Sequence, residues 1–237
     1  MIASKALSHV RFCLASLVLL GTLPGAPGMA NAAEGAGTLA PYFTPAARAP
    51  AKPDGDGFIR RWLILEPIAK PNRTNTVFTG SYVRKTLTAY PFPTQTSGLP
   101  RAGETVTVEG QTLAWHALDS SAFDVKLFNF AQSLSKTKYG VIFHVATVVD
   151  SPRDMEVRMA VGSNSTSMWW VNGAETAVLF NDRRMVMDDV VSRRITLKKG
   201  RNIIRGAVIN GPGLSDYCVR FIDEAGRGIT DLAVTTL

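Results

Sequence analysis

The sequence predicts an all-β fold, an antiparallel β-sandwich of the jelly-roll kind. Three observations predict it. From Phe58 onward, short apolar or alternating runs recur and are broken by Gly, Pro and Asn, at the ~8–12-residue spacing of sandwich strands and their turns. Two-residue turn signals, Glu109-Gly110 and Asn172-Gly173, lie between such runs. Apart from "FNFAQSLSK", no stretch longer than about two turns has helical spacing.

The chain has 237 residues. Lys5 and Arg11 open it, an apolar run follows from Phe12 to Leu20, and Ala30-Asn31-Ala32 has the small-x-small form of a cleavage site. This is the pattern of a secretory signal peptide over residues 1–32, too short to span a bilayer. A periplasmic or secreted location is the expectation. No other run is long enough for a membrane span. Residues 33–56 are rich in Ala, Gly and Pro and read as a flexible leader. The β-sandwich is expected over 57–237.

"FIRRWLILEP" begins the folded part, and "TVTVEGQTLAWHAL" reads as a hairpin turning at Glu109-Gly110. "YGVIFHVATVV" is apolar on both faces, as a strand covered on both sides would be. "MEVRMAV" alternates, with Met155, Val157, Met159 and Val161 facing one way and Glu156 and Arg158 the other. "SMWWV", "TAVLF", "RRITL", "IIRGAVI", "YCVRFID" and "ITDLAVTT" follow, separated by turns and by a polar excursion from Asn181 to Ser192.

Asn172-Gly173 makes Met168 to Val171 one arm of a hairpin, because both central positions of a type I′ turn need positive φ. Neighbouring side chains on a strand point to opposite faces. Of Trp169 and Trp170, one therefore packs inside and the other lies outside. The ordered set "WLILEPI", "KYGVIFHVATVVDSPRDMEVRMAVGSNSTSMWWVNGAE", "ITLKKGRNIIRGAV" and "YCVRFIDEAGRGITDL" resembles the galactose-binding-domain-like jelly-roll modules that accompany bacterial carbohydrate-active enzymes. By that resemblance Trp170 aligns with the family's hairpin tryptophan, and Trp169 stands where a smaller residue is usual. The family's loop often carries paired acids where this chain has Gly162-Ser163-Asn164-Ser165. Neutral oxygens there replace the carboxylates a cation site would use, so no cofactor and no metal are expected, with structural calcium as the alternative.

Charge and motifs exclude several functions. The chain carries +7, or +5 once Lys5 and Arg11 leave. Its basic pairs are dispersed, with no aromatic-interleaved tract, so nucleic acid is not an expected partner. Cys218 alone follows the leader. It reads as a buried small hydrophobe. His144 lies in an apolar run and reads as a core histidine. His116, with Asp119, Ser120 and Ser121 nearby, matches no nucleophile elbow. No catalytic residue is assigned.

A glycan site needs an aromatic face and planar polar partners. Trp169, Asn164, Asn181, Asp182, Arg183 and Asp216 are the candidate ligand-binding residues, all in or beside expected loops and the hairpin. The competing reading of Trp169 is a cover for the sheet. Tyr82, Tyr90 and Phe92 form a second aromatic candidate. The expectation is a non-catalytic module contacting a poly- or oligosaccharide, working beside a separately encoded exported enzyme. The alternatives are a structural or protein-interaction module of an exported complex, and a carbohydrate-active hydrolase.

Overall fold

In a computed structural model, residues 39–69, 81, 84–85, 98–180, 184–211 and 213–236 are described. All of them fall within one compact unit, Ala32–Leu237. The fold is all-β, with two antiparallel sheets among the described residues.

The strands are β1 (Phe43–Pro45), β2 (Arg61–Leu65), β3 (Ile68–Ala69), β4 (Thr105–Val108), β5 (Gln111–Ser120), β6 (Val141–Ser151) and β7 (Met155–Ser163). They continue with β8 (Thr166–Val171), β9 (Ala174–Leu179), β10 (Val190–Leu197), β11 (Gly200–Asn210), β12 (Tyr217–Ile222) and β13 (Ala233–Thr235). A short helix, α1 (Leu127–Ser133), lies between β5 and β6. The large sheet runs β1-β5-β2-β6-β11-β8-β9, with β3 and β13 also on β6 and β4 on β5; the small sheet runs β10-β7-β12.

Both expected two-residue turns form. Glu109 and Gly110 have φ of 47° and 77°, and Asn172 and Gly173 of 50° and 81°, the left-handed pair that a type I′ turn requires. Asn202, fully buried, ties the β8–β9 turn to the β10–β11 turn. Its Oδ1 accepts from Lys198 N–H and Asn172 Nδ2, both at 2.9 Å, while its Nδ2 donates to the carbonyls of Lys198 and Gly200.

The main core lies between the sheets. Val157, Met159 and Val161 of β7 and Tyr217, Val219 and Phe221 of β12 meet Phe143 and Val145 of β6 and Ile204 and Val208 of β11. The helix closes this core with Leu127, Phe130 and Ala131. The even residues of β6 face the other way. Ile142 and Ala146 join Leu63, Leu65, Trp115, Met168 and Ile209 in a second apolar cluster on the outer side of the large sheet. That is why "YGVIFHVATVV" is apolar on both faces.

Trp169 is the inward tryptophan, so the expectation of an outward Trp169 is corrected. Its side chain is fully buried, with ring centroids 5.9 Å from Trp62 and 4.9 Å from Tyr217. It lies over Gly206, its partner on β11, where a Cβ would overlap the indole. Trp170 faces out, half-buried against the second cluster.

The stretch read as a leader is part of the fold from Leu39 onward. Leu39 and Phe43 are buried, β1 pairs with β5, and Ala51 bridges to Val234. Two buried apolar side chains in an Ala/Pro-rich background leave little periodicity to read. No helix among the described residues is long and apolar enough to cross a membrane.

Candidate functional site

Strand alternation builds the site. Val161 of β7 and Tyr217 of β12 point inward, so Gly162 and Cys218 lie on the opposite, outer side of the small sheet, with Asn164 just after β7 and Asp216 just before β12. The register sets Cys218 beside Gly162 and Tyr217 beside Ser163. Asn164 N–H then donates to the Asp216 carbonyl at 3.0 Å. Two of the six expected ligand-binding residues, Asn164 and Asp216, are thus brought together. Trp169 is removed from the surface by its burial. Asn181, Asp182 and Arg183 lie outside the described residues, as do Tyr82, Tyr90 and Phe92.

The segment before α1 completes the polar part. Val125 bridges to Tyr217, which carries Asp124 and Lys126 to the start of β12. Lys126 Nζ donates to Asp124 Oδ2 at 2.6 Å and to Asp216 Oδ2 at 3.3 Å. Asp216 is 3% exposed, and its Oδ1 has no hydrogen-bond partner. Burial raises the Asp216 carboxyl above its ordinary range, against the pull of the Lys126 ammonium and of the Phe128 N–H. For Lys126, burial disfavours the charge, but the Asp124 and Asp216 carboxylates outweigh it and raise the ammonium.

An aromatic edge adjoins this cluster. Phe123 is 37% exposed and packs on Phe58 at 5.1 Å. The Arg220 guanidinium lies 4.9 Å from the centre of the Phe58 ring. Arg220 also grips Asp188 through two nitrogens and donates to the Asp56 carbonyl. The Asp188 pair raises the Arg220 guanidinium. Asp124, Asp188 and Arg220 all act electrostatically on the buried Cys218 thiol, which burial pushes up to about 12. One face therefore holds an exposed aromatic, three carboxylates, an ammonium and an amide around Gly162 and Cys218. Phe123, Asp124, Lys126, Asp188 and Arg220 escaped sequence reasoning. The signal was "FDVK", an aromatic and two opposite charges next to an expected helix.

A second polar cluster lies at the other end of α1. Glu66 Oε2 accepts from Lys136 Nζ at 3.0 Å and from Ala114 N–H at 3.2 Å, and Oε1 lies 3.5 Å from His116 Nε2. Burial alone would raise the Glu66 carboxyl; His116, Lys136 and Ala114 outweigh it and hold it at about 2. His116 thus meets Glu66 rather than its sequence neighbours. Asp119 pairs with Arg61, Ser120 Oγ donates to the Asp124 carbonyl, and Ser121 Oγ donates to the Tyr42 carbonyl. The expected core histidine, His144, is 5% exposed. Among the described residues, no group of three His, Cys, Asp or Glu side chains is placed to hold a metal ion.

No protein-family model matches the chain, and no curated protein does. Solved structures give low-scoring matches. A PA14 sugar-binding domain from an RTX adhesin matches at 12% identity and a TM-score of 0.40, over 73% of this chain and 96% of that one. The PA14 domain of the MpAFP antifreeze protein matches at 11% identity and 0.39, over 73% and 89%. A β-glucosidase from Kluyveromyces marxianus, in complex with glucose, matches at 15% identity and 0.36, over 71% of this chain and 17% of the enzyme. All of these scores are below 0.5, so the likenesses carry no weight in assigning a function.

Proposed function

We propose that this chain is a non-catalytic module that contacts a poly- or oligosaccharide on the outer face of its small sheet. One observation carries the reading. Asp216 is buried beside Lys126 and Asn164 with one carboxylate oxygen unpartnered, next to the exposed ring of Phe123. An unmet buried acceptor costs about 1–3 kcal/mol. A hydroxyl-rich ligand would meet the part-exposed Lys126 ammonium beside Asp216, and the apolar face of a sugar ring would lie on Phe123. The resemblance of the strand and turn order to galactose-binding-like modules points the same way. The N-terminal pattern supports a periplasmic or secreted setting.

The hydrolase reading has less support. His116 has an acid beside it, yet the sequence-adjacent serines are engaged elsewhere.

The test is retention on a panel of insoluble polysaccharides with soluble oligosaccharide competition. Asp216→Asn and Phe123→Ala, each checked for folding by circular dichroism, run beside the parent. Specific retention that falls at least about tenfold in both variants, or roughly 1.4 kcal/mol, is expected. Binding by the parent that both variants keep would move the site. No binding on any glycan would refute the reading.

A further inference from the structure

We infer that the glycan surface continues past the start of α1 onto Tyr139 and Lys138, and that it takes an oligosaccharide whose units carry a carboxylate. This rests on the glycan reading above and names the class of glycan. Phe128 joins the two parts. Its N–H donates to the Asp216 carboxylate, while its ring packs on that of Tyr139 with centroids 5.6 Å apart. Tyr139 is 49% exposed.

The backbone is clamped on both sides of Tyr139. Asn210, fully buried, donates from Nδ2 to the Lys138 carbonyl at 2.9 Å and to the Gly213 carbonyl at 3.0 Å, and its Oδ1 accepts from Ser165 Oγ at 3.1 Å. Gly140 N–H donates to the Gly211 carbonyl at 3.2 Å. An exposed ring on a fixed backbone is a platform that gives up little freedom when a ligand lies on it.

The ammonium beside the ring is also held in place. Lys138 Nζ donates to Gln132 Oε1 at 3.0 Å and lies over the Phe128 ring, 4.7 Å from its centre and 5.9 Å from that of Tyr139. The surrounding charges decide what it meets. Lys126 is engaged by Asp124 and Asp216, and Lys136 by Glu66. Lys138 has no carboxylate partner among the described residues. The sequence has no acid between Asp124 and Asp150, and residues 210–215 carry no charge. β3, paired with the start of β6, brings only Ile68 and Ala69. An ammonium with donors to spare and no internal counter-charge fits a ligand carboxylate. A uronic-acid unit supplies that group on a ring whose apolar face suits Tyr139.

Titration calorimetry of the full chain tests this with short galacturonate and mannuronate oligomers, the methyl esters of both, and a neutral glucan oligomer. The acid oligomers are expected to bind, and their esters, which keep the ring and lose the charge, to bind at least about fivefold more weakly. Lys138→Gln and Tyr139→Ala, each checked for folding by circular dichroism, should weaken the acid oligomers to a similar extent. Lys52→Gln removes the same charge from an exposed lysine elsewhere and should leave the affinity unchanged. Equal affinity for acid and ester, or a Lys52→Gln loss equal to that of Lys138→Gln, overturns the inference. Neutral oligomers that bind through Asp216 and Phe123, with no preference for the acid forms and no effect of Lys138→Gln, overturn it and leave the glycan reading standing. No binding of any oligomer overturns both.

Discussion

His144 should make the folded chain acid-sensitive well above the carboxylate range. It sits on β6 with β2 on one side and β11 on the other, and only 5% of it is exposed. Burial, and then the Arg205 charge, lower its pKa from 6.5 to about 3. The folded state therefore refuses a proton that the unfolded chain accepts. The contribution is complete above pH 6.5 and is lost as pH falls towards about 3. At 1.36 kcal/mol per unit, a drop from 6.5 to about 3 is worth about 5 kcal/mol as a ceiling. That is the size of the whole stability of a modest domain. Urea unfolding at intervals between pH 7.5 and 4.5 reads it while most carboxylates remain ionised. The parent should lose about 1.4 kcal/mol per pH unit below 6.5. His144→Gln should flatten that slope, whatever it does to stability at pH 7.5. Equal slopes in the two proteins would refute the reasoning.

Two further tests address the core and the second polar cluster. Glu66 has a depressed pKa, so its contribution is present above pH 4.5 and fades as pH falls towards about 2. Its ceiling is about 3 kcal/mol, and Glu66→Gln should remove that limb of the acid-unfolding curve, a result that an unchanged curve would contradict. A Cβ on residue 206 would lie 2.6 Å from Cε3 of Trp169, so Gly206→Ala should destabilise by about 1–3 kcal/mol through overpacking. Denaturant midpoints equal to the parent's would show that Trp169 can move aside.

The two hairpin turns were legible because positive φ is a local property of Asn and Gly. The inward set of β7 was legible because its alternation is clean over seven residues. Which tryptophan faces inward was not, since parity alone leaves both choices open. The decision comes with Gly206, on another strand, whose missing side chain leaves room for the Trp169 indole. Residues 39–56 hid their role for a similar reason. β1 is a strand only because β5 offers it an edge. In the site, Asn164 and Asp216 followed from loop position. Phe123, Asp124 and Lys126 reach them through a single bridge between Val125 and Tyr217, which no local pattern announces.

The placement of the site follows from how unevenly the two sheets are covered. The large sheet has apolar side chains on both sides, with the main core on one and the cluster of Leu63, Trp115, Met168 and Ile209 on the other. Around its middle strands it has little face left to offer a ligand. The small sheet buries its inner side and, at Ala160, Gly162 and Cys218, part of its outer side as well. Its outer side carries Arg158, Arg194 and Arg220, each paired with an acid, so it is polar by construction. Beyond those pairs, at the start of β12, the space that Gly162 leaves beside Cys218 is taken by the Val186 carbonyl. Asp216, buried with one oxygen unpartnered, stands just before β12. The glycan reading uses what stands at this edge of the sheet: the Asp216 carboxylate, the Lys126 ammonium and the exposed ring of Phe123.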